Sequence, residues 1–208
     1  MKTILKTLLA FAFILLITES KAQRLESIPE EEMKKKIIKF EFFSPLTGNA
    51  TFGYETYLKN FTSLELKVGL IGAGIQNYNV SSKKETGVFF SVGPKFKLKP
   101  AYAVDGMYGT HVLRGGYIRP ELSVGTFNVE RESYLFNGYD ENATFVSLTI
   151  NYGQQYILGE SFTLDWYFGL GYGYASEDEL GYYYRNTFGT NEVPIAFNAG
   201  FTIGVLLK

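Results

Sequence analysis

Between Phe162 and Tyr174 the chain alternates: Phe162, Leu164, Trp166, Phe168, Leu170, Tyr172 and Tyr174 are large and apolar or aromatic, and the intervening residues are small or polar except Tyr167. Successive Cβ atoms of a strand point to opposite faces of its sheet, so a period of two marks a strand whose faces meet different surroundings. The same alternation recurs along the chain and sets the fold class.

Residues 1–22 read as a secretory signal peptide. Lys2 and Lys6 form a basic start, Leu8 to Ile17 is an apolar run of ten, and Ser20-Lys21-Ala22 offers a small-x-small cleavage site. A membrane-spanning helix needs roughly 20 apolar residues, more than this run or any later stretch supplies. The sequence has no cysteine, which excludes disulfides, thiolate metal sites and a lipoprotein anchor. With Lys2, Lys6, Lys21 and Glu19 removed with the leader, net charge is near -3, and nothing points to nucleic acid. Aromatic residues make up 17% of the chain and glycine is abundant at 22, a mixture that suits strands and membrane interfaces.

Between turn signals, period two gives eight segments of about the ten residues that a tilted membrane strand requires. They are 36–43, 50–58, 63–72, 86–98, 116–127, 143–157, 162–174 and 195–207. Ten charged residues within them, Lys39, Glu41, Glu55, Glu65, Lys67, Lys95, Lys97, Arg119, Glu121 and Asp165, fall on the parity opposite the large apolar side chains. Ile71, Phe89, Tyr57 and Tyr167 share the charged parity and are expected inside. Pro120 lies on the apolar parity and removes one ladder donor.

Period two alone does not say which face points inward, and a soluble lipocalin-like barrel would place the polar face outside. The polar parity is rich in glycine, including Gly53, Gly69, Gly93, Gly125, Gly153, Gly169, Gly171, Gly200 and Gly204. Small residues belong where strands curve around a narrow interior. Arg or Lys facing lipid near the midplane costs roughly 2 to 4 kcal/mol, which drives charge to the lumen. The expected fold is therefore all-β, an eight-stranded antiparallel up-and-down transmembrane β-barrel over 36–208, preceded by a periplasmic segment 23–35.

The leader ending Lys21-Ala22-Gln23, the Gly-aromatic strand Gly169-Leu170-Gly171-Tyr172-Gly173-Tyr174, the strand Tyr117-Ile118-Arg119-Pro120-Glu121-Leu122 and the alternating C-terminal strand resemble small bacterial outer-membrane β-barrel proteins. The resemblance is to the eight-strand class typified by outer membrane protein X and the membrane domain of outer membrane protein A. The final residues Val205-Leu206-Leu207-Lys208 depart from that family's usual aromatic end. The resemblance implies periplasmic termini, outer-membrane lipid as surroundings and a role for the outer-membrane assembly machinery. It also implies outer loops at 44–49, 73–85, 128–142 and 175–194, and inner turns at 59–62, 99–115 and 158–160.

The ten lumen charges are five basic and five acidic, which predicts a self-neutralising network. An eight-stranded interior is just wide enough for side chains, so no permanent pore is expected. A narrow channel is the alternative. A lipid-modifying enzyme is another, since such barrels generally use a histidine near the outer leaflet as acid or base. The single histidine, His111, falls in a predicted inner connection, and no Gly-x-Ser-x-Gly elbow occurs. No catalytic, metal or cofactor site is expected; Gly69-Leu70-Ile71-Gly72-Ala73-Gly74 is no dinucleotide loop. The third and fourth outer loops carry a net charge of -6 and the tyrosines Tyr134, Tyr139, Tyr182, Tyr183 and Tyr184. These are the candidate recognition surface, weighed against a plain reading as a soluble acidic rim with an aromatic girdle.

Overall fold

In a computed structural model of the chain, the residues described are 33–74, 85–98, 111–131, 139–159, 161–176, 182–183, 187–189 and 194–208. The leader, most of the N-terminal segment, Tyr134 and Tyr184 lie outside them. The strands are β1 Lys36–Glu41, β2 Asn49–Lys59, β3 Thr62–Ile71, β4 Glu85–Lys97, β5 Gly115–Arg131, β6 Tyr139–Leu158, β7 Phe162–Ala175, β8 Tyr182–Tyr183, β9 Thr187–Gly189 and β10 Ile195–Leu207.

Each of β1 to β6 pairs antiparallel with the next, β7 pairs with β10, and β10 pairs with β1, closing an eight-stranded barrel. The short ribbon of β8 and β9 is appended at β10, where Phe188 pairs with Phe197. Closure removes the free edges that an open sheet would expose.

Local sequence accounts for the connections. β2 and β3 meet at Asn60 and Phe61, whose φ values of 50° and 59° are those of a two-residue type I′ turn between Lys59 and Thr62. β6 turns into β7 at Gly159, φ 55°. Between β1 and β2 lies a 3-10 helix, Ser44–Thr47, begun by Pro45 and stopped by Gly48 in the left-handed region.

Three boundaries differ from the sequence reading. β1 ends at Glu41, two residues short of the expected 43, because the backbone turns at Phe42 into the 3-10 helix. β5 and β6 run on to Arg131 and Tyr139, so much of the expected loop 128–142 is a hairpin held by pairs such as Glu130 with Asp140. The expected loop 175–194 contains the β8–β9 ribbon, whose two- and three-residue strands are too short to carry a legible period.

The alternation sorts side chains by face. Along β6, Val146, Leu148 and Ile150 are exposed while Ser147, Thr149 and Asn151 are buried. Large apolar residues likewise lie on the outside of β2 to β5, β7 and β10, among them Phe52, Leu66, Phe90, Leu122, Leu170 and Phe197. The barrel wears its apolar residues outside and its charges inside.

Candidate functional site

All ten charged residues of the inward parity are buried, none more than 8% exposed. β1 supplies Lys39 and Glu41, β2 Glu55, β3 Glu65 and Lys67, β4 Lys95 and Lys97, β5 Arg119 and Glu121, and β7 Asp165. The registers that close the barrel bring them to one level of the bore.

At the centre, Lys39 Nζ donates to Glu65 and Asp165, each at 2.8 Å, and is also paired with Glu55. Lys95 Nζ lies 2.5 Å from Glu65, 2.7 Å from Asp165 and 3.1 Å from Glu55. Arg119 spans Glu65 at 2.6 Å and Glu121 at 2.7 Å. β6 adds no charge but places Gln155, whose Oε1 accepts from Lys39 at 2.9 Å and Lys95 at 3.0 Å. Two buried tyrosines complete the layer. Tyr117 donates to Asp165 at 2.8 Å beneath Lys95, and the Tyr167 ring lies 4.0 Å from Lys67 and 4.5 Å from the Arg119 guanidinium. Burying an ion costs several kcal/mol unless a counter-ion and hydrogen bonds replace its water, and here the three central cations share the central carboxylates.

Oxygens of Glu55, Glu65 and Asp165 lie within 4.8 Å of one another, a spacing that could hold a metal ion. Lys39 and Lys95 already reach all three, so the chain's own ammonium groups supply that positive charge.

Apolar layers close the network above and below. At the end of the barrel away from the termini, Ile71, Phe89, Phe127, Ala143, Phe145 and Ala175 form one buried cluster, with Phe145 ring centroids 6.4 Å from Phe89 and 6.3 Å from Phe127. Glycine makes this possible: a Cβ at Gly125 would sit 2.6 Å from both Phe145 Cε1 and Phe89 Cβ, and one at Gly69 would overlap the Phe89 ring. Toward the termini, Ile37 and Leu206 pack with Val112 and Leu113, and Met33, Tyr57 and Ile157 lean on them.

Val112 and Leu113 come from the connection 99–115, read from sequence only as an unusually long inner turn. Its described end folds back into the barrel mouth as a stopper. Lys97 Nζ donates to the Leu113 carbonyl at 2.7 Å, and the Leu113 N–H donates to His111 Nδ1 at 3.2 Å. The apolar content of that connection, with Val104 and Met107 as well as Val112 and Leu113, is the sequence signal for it.

Burial, reinforced by the nearby Lys97 charge, lowers the His111 pKa to about 4. The neutral ring is the form that accepts the Leu113 N–H. Because the folded pKa lies below the unfolded value of about 6.5, this contribution is complete above that pH and drains away as pH falls through 4. Amide protection across 111–116, taken relative to the intrinsic exchange rate at each pH, is accordingly expected to fall between pH 6 and pH 4 in the native protein and to stay level in His111→Phe, which has no acceptor to lose. An equal pH response in both would sever His111 from the stopper.

Of the loop tyrosines, Tyr139 opens β6 opposite Arg131, and Tyr182 and Tyr183 form β8. Their backbone is placed in hairpins rather than free loops, and their side chains, like all of Tyr134 and Tyr184, fall outside the described set.

No protein-family model matches the chain, and no curated protein matches it. Among solved structures, the chain is similar to the N-terminal β-barrel domain of OprF from Pseudomonas aeruginosa, at 11% identity over 84% of this chain and 98% of that one, with a TM-score of 0.44.

Proposed function

We propose that the chain is a non-enzymatic outer-membrane barrel, exported by residues 1–22, whose lumen is plugged and whose outer connections carry any recognition. One observation carries the reading: its sidedness. Ile150, Leu170 and Leu148 are 63%, 60% and 58% exposed on the outside while Arg119, Lys95 and Glu55 are 0% exposed within. A barrel in water would gain by the reverse arrangement, whereas acyl chains favour this one.

The plugged lumen is supported by three stacked layers, apolar, ionic and apolar. Among the described residues, the space beside Lys39, Glu41, Thr51 and Lys67 is too narrow for a water molecule. The non-enzymatic reading is supported by His111, whose Nδ1 is held by the Leu113 N–H at the termini end. Segment 23–35 is read as the periplasmic lead-in.

The membrane fraction of cells making the chain is expected to contain a band whose gel migration shifts on boiling, as folded barrels do. Absence from the outer membrane would overturn the reading. In planar bilayers the purified protein is expected to stay electrically silent, and steady large conductance would replace the plugged barrel with the channel alternative.

A further inference from the structure

At the termini end of the barrel the outward face changes from apolar to basic within one step of the alternation. On β1 the outward parity runs Phe40, Ile38, Lys36, and both Ile38 and Lys36 are exposed. The chain entering β1 is fixed against β2: the Lys35 carbonyl accepts the Tyr57 N–H at 2.8 Å, and the Lys35 ammonium lies 5.7 Å from the centre of the Tyr57 ring.

The strand registers extend this basic edge sideways. Lys36 faces Leu207 on β10 and Thr56 on β2, so Lys208 and Lys59 stand at the strand ends on either side of it. The rim continues through the Asn60–Phe61 turn, whose Phe61 carbonyl accepts the Lys97 N–H at 2.8 Å. It then reaches Leu98, whose N–H donates to the Gly116 carbonyl at 2.8 Å, just past Arg114. Lys208, Lys36, Lys59 and Arg114 thus form an arc over the ends of β10 and β1 to β5, and all four are exposed.

Among the described residues these four make no ion pair. The acidic side chains described there, Glu41, Glu55, Glu65, Glu121 and Asp165, are all buried in the bore, so every exposed charged side chain described is basic. Beside the arc, Ile38, Leu58, Phe61, Leu98 and Val205 are exposed and apolar, and they continue into the outer belt.

A lysine at such a border lays its stem along the apolar surface and lifts its ammonium to the water boundary. Whatever meets both the arc and the apolar ring carries negative charge at one end and hydrocarbon at the other. A zwitterionic head brings its own cation beside its phosphate and so gains little from a basic edge. A head with net negative charge keeps the full attraction.

We propose that this arc is a docking surface for anionic phospholipid in the leaflet at the termini end. The head phosphates sit against Lys36, Lys59 and Arg114, and the acyl chains lie over Ile38, Leu58 and Phe61. The surface rests on the bilayer reading given above. Each basic residue near an anionic lipid surface contributes about a fivefold preference.

The test uses the full mature chain, reconstituted in vesicles of equal phosphatidylglycerol and phosphatidylethanolamine, extracted in mild detergent and weighed by native mass spectrometry. Retained phosphatidylglycerol is expected to exceed phosphatidylethanolamine by about tenfold or more. Lys36→Gln/Lys59→Gln/Arg114→Gln is expected to bring the two lipids within about twofold of each other while keeping the heat-modifiable gel shift. Should that variant fail to fold, the native chain carries the test through salt. Raising ammonium acetate from about 0.1 M to about 1 M shortens the screening length from about 10 to about 3 Å and is expected to remove most of the preference. Equal retention of both lipids by the native chain overturns the proposal, as does a preference that survives the three glutamines or the salt. Binding of labelled poly-glutamate by the detergent-solubilised barrel, with no preference between the lipids, overturns it in favour of a soluble acidic partner. A heat-modifiable membrane barrel without lipid preference fails the docking surface alone; a chain absent from the membrane fails the bilayer reading beneath it.

Discussion

Replacing Glu65 with alanine is expected to destabilise the folded barrel by about 3 to 5 kcal/mol, the cost of leaving buried charges without their partner. Its two oxygens serve four of the five interior cations, three of them closely: Lys39 at 2.8 Å, Lys95 at 2.5 Å and Arg119 at 2.6 Å, with Lys67 at 3.8 Å. Lys39 and Lys95 retain Glu55 and Asp165, but Arg119 keeps only Glu121, at 2.7 Å. The loss therefore concentrates on the guanidinium, and removing that charge as well should recover part of the stability. Glu65→Ala/Arg119→Met is expected to be more stable than the sum of the two single losses allows, the non-additivity of residues in one network. Urea titration in detergent, read by the gel shift that distinguishes folded from unfolded barrel, gives all three values. A loss below about 1 kcal/mol for Glu65→Ala would mean that the ion pairs behave as exposed surface pairs do, and that water reaches the bore.

The alternation placed the strands well because, in a closed barrel of this sidedness, period two is imposed from both sides. Leu164, Trp166 and Phe168 are pressed to the outside by the same geometry that turns Asp165 and Tyr167 inward. The ten charges could be assigned to the bore by parity, and they are all buried there. Their pairings were not legible, because parity carries no register. Lys39 meets Asp165 across 126 residues of sequence, through the closing contact of β1 with β10 and of β10 with β7. Gln155 and Tyr117, central to the network, carry no formal charge, so a search for charges passes over them. The end of β1 was misplaced because Phe42 and Phe43 continue a hydrophobic run that suits a strand equally well; the Ser-Pro that follows begins the 3-10 helix. The stopper at Val112 and Leu113 lies in a connection, where apolar residues have no period to betray which way they face.

A single arginine on the outer surface reports directly what that surface touches. Ile150 sits near the middle of β6, 63% exposed, opposite Pro120 on β5 and Leu170 on β7. Placed in acyl chains, Ile150→Arg is expected to cost about 2 to 4 kcal/mol, because nothing at that depth solvates a guanidinium. In water the same substitution at so exposed a site would fall within about 0.5 kcal/mol of neutral. Asn142 lies on the same strand and face, also exposed, eight residues toward the outer connections. Eight residues of strand correspond to roughly 26 Å along its axis, enough to leave the apolar band even with tilt. Asn142→Arg is therefore expected to cost between about 0 and 1 kcal/mol. Folding titrations of both variants in vesicles give the gradient. A steep difference between the two positions is the mark of a hydrocarbon layer centred on Ile150, Leu148 and Leu170. Two small and equal values would mean that the apolar belt faces water or another protein, and the bilayer reading would fall with them.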